Sequence, residues 1–94
     1  MESAGKGLKT GKHGATIGGG GKMGILLGMQ SKVLLDGENI AESFTEASGL
    51  DFSSIGTEVA YLHSIGRIKF LTATDIEAKK TFMMMARKVG LICA

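Results

Sequence analysis

From Met23 onward the chain carries two short apolar clusters, Ile25-Leu26-Leu27 and Val33-Leu34-Leu35, separated by the more polar stretch GMQSK. Asp36 and Gly37 follow, a strong turn pair between strands, so one or two short strands are predicted over residues 24–35. Over residues 39–48 Ile40 and Phe44 stand one helical turn apart, with Glu42 and Glu46 on another face. That spacing predicts a short helix stopped by Gly49. Residues 54–65 place Ile55, Val59 and Leu62 on one stripe, with Ser54 as cap and Gly66 as stop. Residues 67–71, RIKFL, alternate as a brief strand does. The clearest periodicity lies over residues 75–89. There Ala78, Phe82, Met85 and Val89 make one stripe, widened by Ile76, Met83 and Ala86. Thr74 or Asp75 caps this helix, Glu77 and Arg87-Lys88 suit its dipole, and Gly90 ends it.

The first 22 residues break this pattern. Ten of the 15 glycines lie within the first 28 residues, and almost nothing apolar accompanies them before Met23. Glycine loses the most backbone entropy on ordering, so residues 1–22 are predicted to be a flexible, basic, glycine-rich arm. Residues 23–94 then form a small globular α+β domain of two or three helices, a few short strands and a C-terminal amphipathic helix. With six methionines, five aromatic residues and no proline or tryptophan in the whole chain, the core is expected to be Ile, Leu, Val and Met.

Charge sharpens the division. The net charge is +2, but residues 1–32 hold five lysines against Glu2 alone. Lys6, Lys9, Lys12 and Lys22 form a spaced series suited to contact with a polyanion such as nucleic-acid phosphate. No aromatic side chain is interleaved, which speaks against base stacking by the arm. The single cysteine, Cys93, provides no disulfide framework and fits a reducing, cytoplasmic setting or the inside of an assembled particle; its apolar neighbours predict a small buried side chain. No apolar run approaches the ~20 residues of a membrane span. A secretory leader is not expected either, because the charged stretch is too long and no small-residue cleavage site follows.

Candidate chemistry is sparse. The stretch GGGGKMG satisfies the Gly-x-Gly-x-x-Gly spacing of a dinucleotide-binding turn, but TGKHGATI before it is no buried strand and the run after it is a poor helix. A phosphate loop would need glycine at Thr16 and a hydroxyl at Met23. No cofactor or small-molecule substrate is expected. His13, His63 and Cys93 are too far apart for a metal-ligand motif, and no nucleophile motif appears, so no catalytic or metal residues are assigned and no enzyme is predicted. Met83, Met84 and Met85 cannot all face one side of a helix, which points to a second packing surface and self-association.

Together these readings predict a non-enzymatic, self-associating structural subunit, a homo-oligomer of the kind that builds a virion or another large assembly. Its arm would contact a neighbouring subunit or nucleic acid. The alternative is a small DNA- or RNA-binding regulator. In that reading the succession of a helix, RIKFL, a second helix and ARKVGLI resembles the close of a winged-helix module, with the arm adding phosphate contacts.

Overall fold

The computed structural model describes residues 1–93; Ala94, the last residue of the predicted 23–94 domain, lies outside the described residues. The chain forms a small α+β structure with two helices, α1 (Thr57–Ser64) and α2 (Asp75–Val89), and short strands. Strand β1 (Glu2–Gly5) pairs in parallel with β6 (Thr72–Thr74). Strands β2 (Lys22–Leu26) and β3 (Met29–Val33) form one hairpin, and β4 (Leu35–Asp36) with β5 (Asn39–Ile40) a second. Residues 53–55 extend the first hairpin through a bridge between Val33 and Ser54, and Ser31 Oγ donates to the Ile55 carbonyl.

The amino-terminal segment departs from its expected behaviour. Residues 2–5 and 13–16 are buried, and they sit at the centre of the fold rather than outside it. Backbone hydrogen bonds hold β1 on both sides. Glu2 N–H donates to the Leu71 carbonyl at 2.8 Å, and Gly14 N–H to the Ser3 carbonyl at 3.0 Å. Composition alone missed this because the burial is largely polar: Glu2, Ser3, His13, Thr16, Ser31, Ser53 and Asp75 are buried, against only Ala4, Ala15, Val33 and Leu34 among the apolar residues. The glycines permit the close approach. A Cβ at Gly21 would stand 2.5 Å from the Thr16 carbonyl oxygen and 2.8 Å from that of Val33.

The predicted strands over 24–35 form as β2 and β3, and the turn that joins β4 to β5 falls on Gly37 and Glu38, one residue after the predicted Asp36-Gly37 pair. The predicted helix over 39–48 does not form. Its backbone donors are taken elsewhere: Ala41 N–H by the Leu34 carbonyl, Phe44 N–H by that of His13, and Glu46 N–H by the Asp75 carboxylate. Helix α1 starts at Thr57, since Ser54 turns its hydroxyl to the Lys32 carbonyl instead of capping. Residues 67–71 form no strand; pairing begins one residue later, at Thr72. They are held beside α1 by an edge-to-face contact of His63 with Phe70, ring centroids 5.4 Å apart.

Helix α2 carries the predicted limits. Thr74 and Glu77 make a reciprocal capping box, and Gly90 closes the last turn. The Thr74 backbone N–H first, and its hydroxyl second, hold the Glu77 carboxyl below the ordinary glutamate range, against a small opposing effect of burial. This cap is therefore present above the ordinary carboxylate range and is lost as the pH falls through the lowered value. The apolar stripe of α2, however, is barely covered. Met85 and Ala86 are half-buried, whereas Ile76 and Val89 are 67% and 65% exposed. Residues 90–93 form no strand and β6 intervenes between the helices, so the helix–turn–helix and closing strand of a winged helix are not formed. Cys93 is exposed rather than buried.

The β2–β3 hairpin turns on Leu27 and Gly28, both at positive φ (51° and 74°), as a two-residue type I′ loop requires. Leucine in this conformation costs roughly 1–2 kcal/mol, and at 76% exposure it recovers little by burial. Replacing Leu27 with Asn is expected to raise stability by about 0.5–1 kcal/mol, read as a higher midpoint in urea. An unchanged or lower midpoint would contradict this turn geometry.

Candidate interaction surfaces

The glycine turn that spacing marked as a phosphate cradle is filled from within. Ile17 N–H and Gly18 N–H donate to the two carboxylate oxygens of Glu2, at 2.8 and 2.9 Å. The next three N–H groups, of Gly19, Gly20 and Gly21, donate to the carbonyls of Ala15, Ile17 and Thr16. All five donors are thus committed inside the chain. The turn acts as an anchor for β1, and no motif in the sequence announces the Glu2 side chain that occupies it.

Beside it lies the unpartnered hydroxyl of Thr16, fully buried and without a hydrogen bond among the described residues. A buried unsatisfied polar group costs about 1–3 kcal/mol, and an apolar replacement of the same shape removes that cost. Thr16→Val is therefore expected to stabilise by about 1 kcal/mol, measured by thermal unfolding. A loss of stability would show that the hydroxyl has a partner. His13 Nδ1 is likewise buried without a partner.

The lysine series divides. Lys6, Lys9 and Lys12 share one loop, residues 6–12, closed by Lys6 N–H donating to the Lys12 carbonyl at 2.9 Å. A turn of 3-10 helix at Leu8–Thr10 carries Lys9, and Thr10 Oγ1 bonds within the loop to Gly7 and Lys12. The Lys6 ammonium stands 4.9 Å over the Phe44 ring. Lys22 begins β2 opposite Val33 and is not part of this loop.

Loop 6–12 forms one wall of a cleft of about 660 Å³; the other walls come from residues 34–36 and 41–44. Its lining mixes Leu34, Leu35, Ala41 and Phe44 with Asp36 and Glu42, and Lys12 and His13 on the loop side. Among the described residues no three His, Cys, Asp or Glu side chains gather as a metal-ligand set.

The third surface is α2. Met83 and Met84 are each 46% exposed and Met85 is half-buried, so the run is divided between two faces of the helix. Lys79, Lys80, Arg87 and Lys88 border the two exposed methionines. No helix among the described residues is long and apolar enough to cross a membrane. No protein-family model matches the chain.

Proposed function

We propose that the chain is a non-enzymatic, self-associating structural subunit that completes its apolar packing against further copies of itself, in a reducing intracellular setting or within an assembled particle. The observation that carries this reading is surface area. A folded monomer of 9.8 kDa presents about 5,200 Å² to solvent, and this chain presents 6737 Å². The radius of gyration is 14.3 Å, against about 12.4 Å for a compact chain of this length. Large apolar side chains lie at this surface: Ile25, Leu27, Ile76, Met83, Met84 and Val89 are all exposed. Sedimentation velocity over the micromolar range tests it. A concentration-dependent oligomer is expected, and a strict monomer throughout would overturn the reading.

A second role, contact with nucleic acid, is favoured by one observation, the gathering of Lys6, Lys9 and Lys12 on one closed loop. Affinity for a single-stranded oligonucleotide would then fall steeply with salt. Replacing the three lysines with Gln is expected to reduce the log–log salt slope by about 2. Absence of binding at low salt in the wild type would remove this role.

A further inference from the structure

Helix α2 has two different apolar faces. At 3.6 residues per turn, Phe82, Met85, Ala86 and Val89 share one face, on which Met85 and Ala86 are half-buried. Met83 and Met84 lie on the opposite side with Ile76. Each is bracketed one turn before and one turn after by a cation, Lys79 and Arg87 for Met83, Lys80 and Lys88 for Met84. Lys79 is paired with Glu46 of the same chain at 2.5 Å, whereas Lys80, Arg87 and Lys88 make no ion pair among the described residues.

The complement of this face is on the same molecule. Residues 33–66 contain six acidic residues and no lysine or arginine. Three of the six, Asp36, Glu38 and Glu42, belong to the β4–β5 hairpin and the residues just after it; Asp36 and Glu42 line the 660 Å³ cleft, whose apolar walls include Leu34, Leu35, Ala41 and Phe44. Building on the self-association proposed above, we infer that the outer face of α2 on one copy docks into this cleft on the next. Met83 and Met84 meet the apolar walls, and Lys80, Arg87 and Lys88 face Asp36, Glu38 and Glu42. The cations of the receiving side sit on the far wall, where Lys12 lines the cleft and Lys6 stands over the Phe44 ring, so the acidic side chains belong to the wall of residues 34–42.

Charge selects this arrangement. Two α2 helices packed through the same face would set their cations against one another, and like charges brought together at an interface oppose association. A helix seated along the wall that carries Leu34, Leu35, Asp36, Ala41 and Glu42 satisfies both components of the face. Such a contact is head-to-tail, so it closes into a ring or propagates as a filament.

Two exposed-surface variants test the assignment by sedimentation velocity, with far-UV circular dichroism as the check of folding. Lys80→Gln/Met83→Gln/Met84→Gln disables the helix face with good helix formers, and Glu38→Lys/Glu42→Lys disables the cleft. Each alone is expected to self-associate at least about 100-fold more weakly than the wild type, as loss of central hot-spot residues does. Mixed together, they retain one intact helix face and one intact cleft, and are expected to form a one-to-one dimer that grows no further. Self-association of either variant at wild-type strength, or no dimer on mixing, overturns the inference while leaving the assembly reading in place. So does a helix variant that loses oligonucleotide binding but still assembles. A monomeric wild type removes both.

Discussion

Asp75→Ala is expected to lower the stability of the chain by about 3 kcal/mol and its melting midpoint by roughly 12–24 °C. Asp75 opens α2 and is buried, and its carboxylate ends a directional chain of hydrogen bonds. Gly5 N–H donates to Ser3 Oγ, Ser3 Oγ donates to Thr45 Oγ1 at 2.6 Å, and Thr45 Oγ1 donates to Asp75 Oδ1 at 2.7 Å. Ala47 N–H also donates to Thr45 Oγ1, and Glu46 N–H donates to Asp75 Oδ2 at 3.0 Å. Thr45 Oγ1 therefore has both acceptor positions filled and must donate onward, and only an acceptor at Asp75 receives that proton. Alanine strands the Thr45 hydroxyl and the Glu46 N–H together, two part-buried donors at about 1–1.5 kcal/mol each. Asparagine is nearly the same shape, but its amide brings donors to a site that already has too many, so Asp75→Asn is expected to recover less than half the loss. Thr45→Val should cost less than Asp75→Ala, and the pair should be non-additive, because both act on one network. Thermal unfolding followed by circular dichroism decides it. An Asp75→Ala midpoint within two or three degrees of wild type would mean the network contributes no net stability.

This network also explains why some parts of the fold were legible and others were not. Both termini of α2 follow from residues within one turn of them, Thr74 and Glu77 at one end and Gly90 at the other. The turn at Gly37 and the end of α1 near Gly66 are equally local. Residues 39–48 looked helical by the same local rules. Their donors are instead captured by His13 and Asp75, partners about thirty residues away in sequence that no periodicity records. The arm was misjudged for a related reason. Apolar residues in the first 22 positions are few, but Glu2 and Ser3 are ordered by polar bonds to residues 17, 18 and 45. The lysine series was visible as charge; its division into a closed loop with Lys22 outside it depends on β1 and β2 being placed first. The methionine run carried its own geometric constraint, and two faces were implied once the helix was assigned.

Glu2→Ala is expected to be the other costly substitution, lowering stability by about 3 kcal/mol. The Glu2 carboxylate accepts from Ile17 N–H and Gly18 N–H at once, and these bonds to an ionised acceptor are stronger than neutral ones. Truncation removes the acceptor of both part-buried donors at once. Gly18 itself packs closely: a Cβ there would meet Thr72 Cγ2 at 2.8 Å. Glutamine keeps one acceptor oxygen but turns an NH₂ group toward the second N–H, so Glu2→Gln should lose about 2 kcal/mol. The glycine turn has the donors of an anion site, and in the native chain its anion is a side chain fifteen residues upstream. It follows that a small carboxylate added to Glu2→Ala should restore part of what was lost. Formate at tens of millimolar is expected to raise the midpoint of Glu2→Ala well above any effect on the wild type, where the position is filled. Equal shifts in the two proteins would reduce the effect to a general response to salt. A Glu2→Ala chain as stable as the wild type would mean that the turn holds itself, and that β1 is anchored by its pairing with β6 and by the bonds of Ser3 to Gly14 and Thr45.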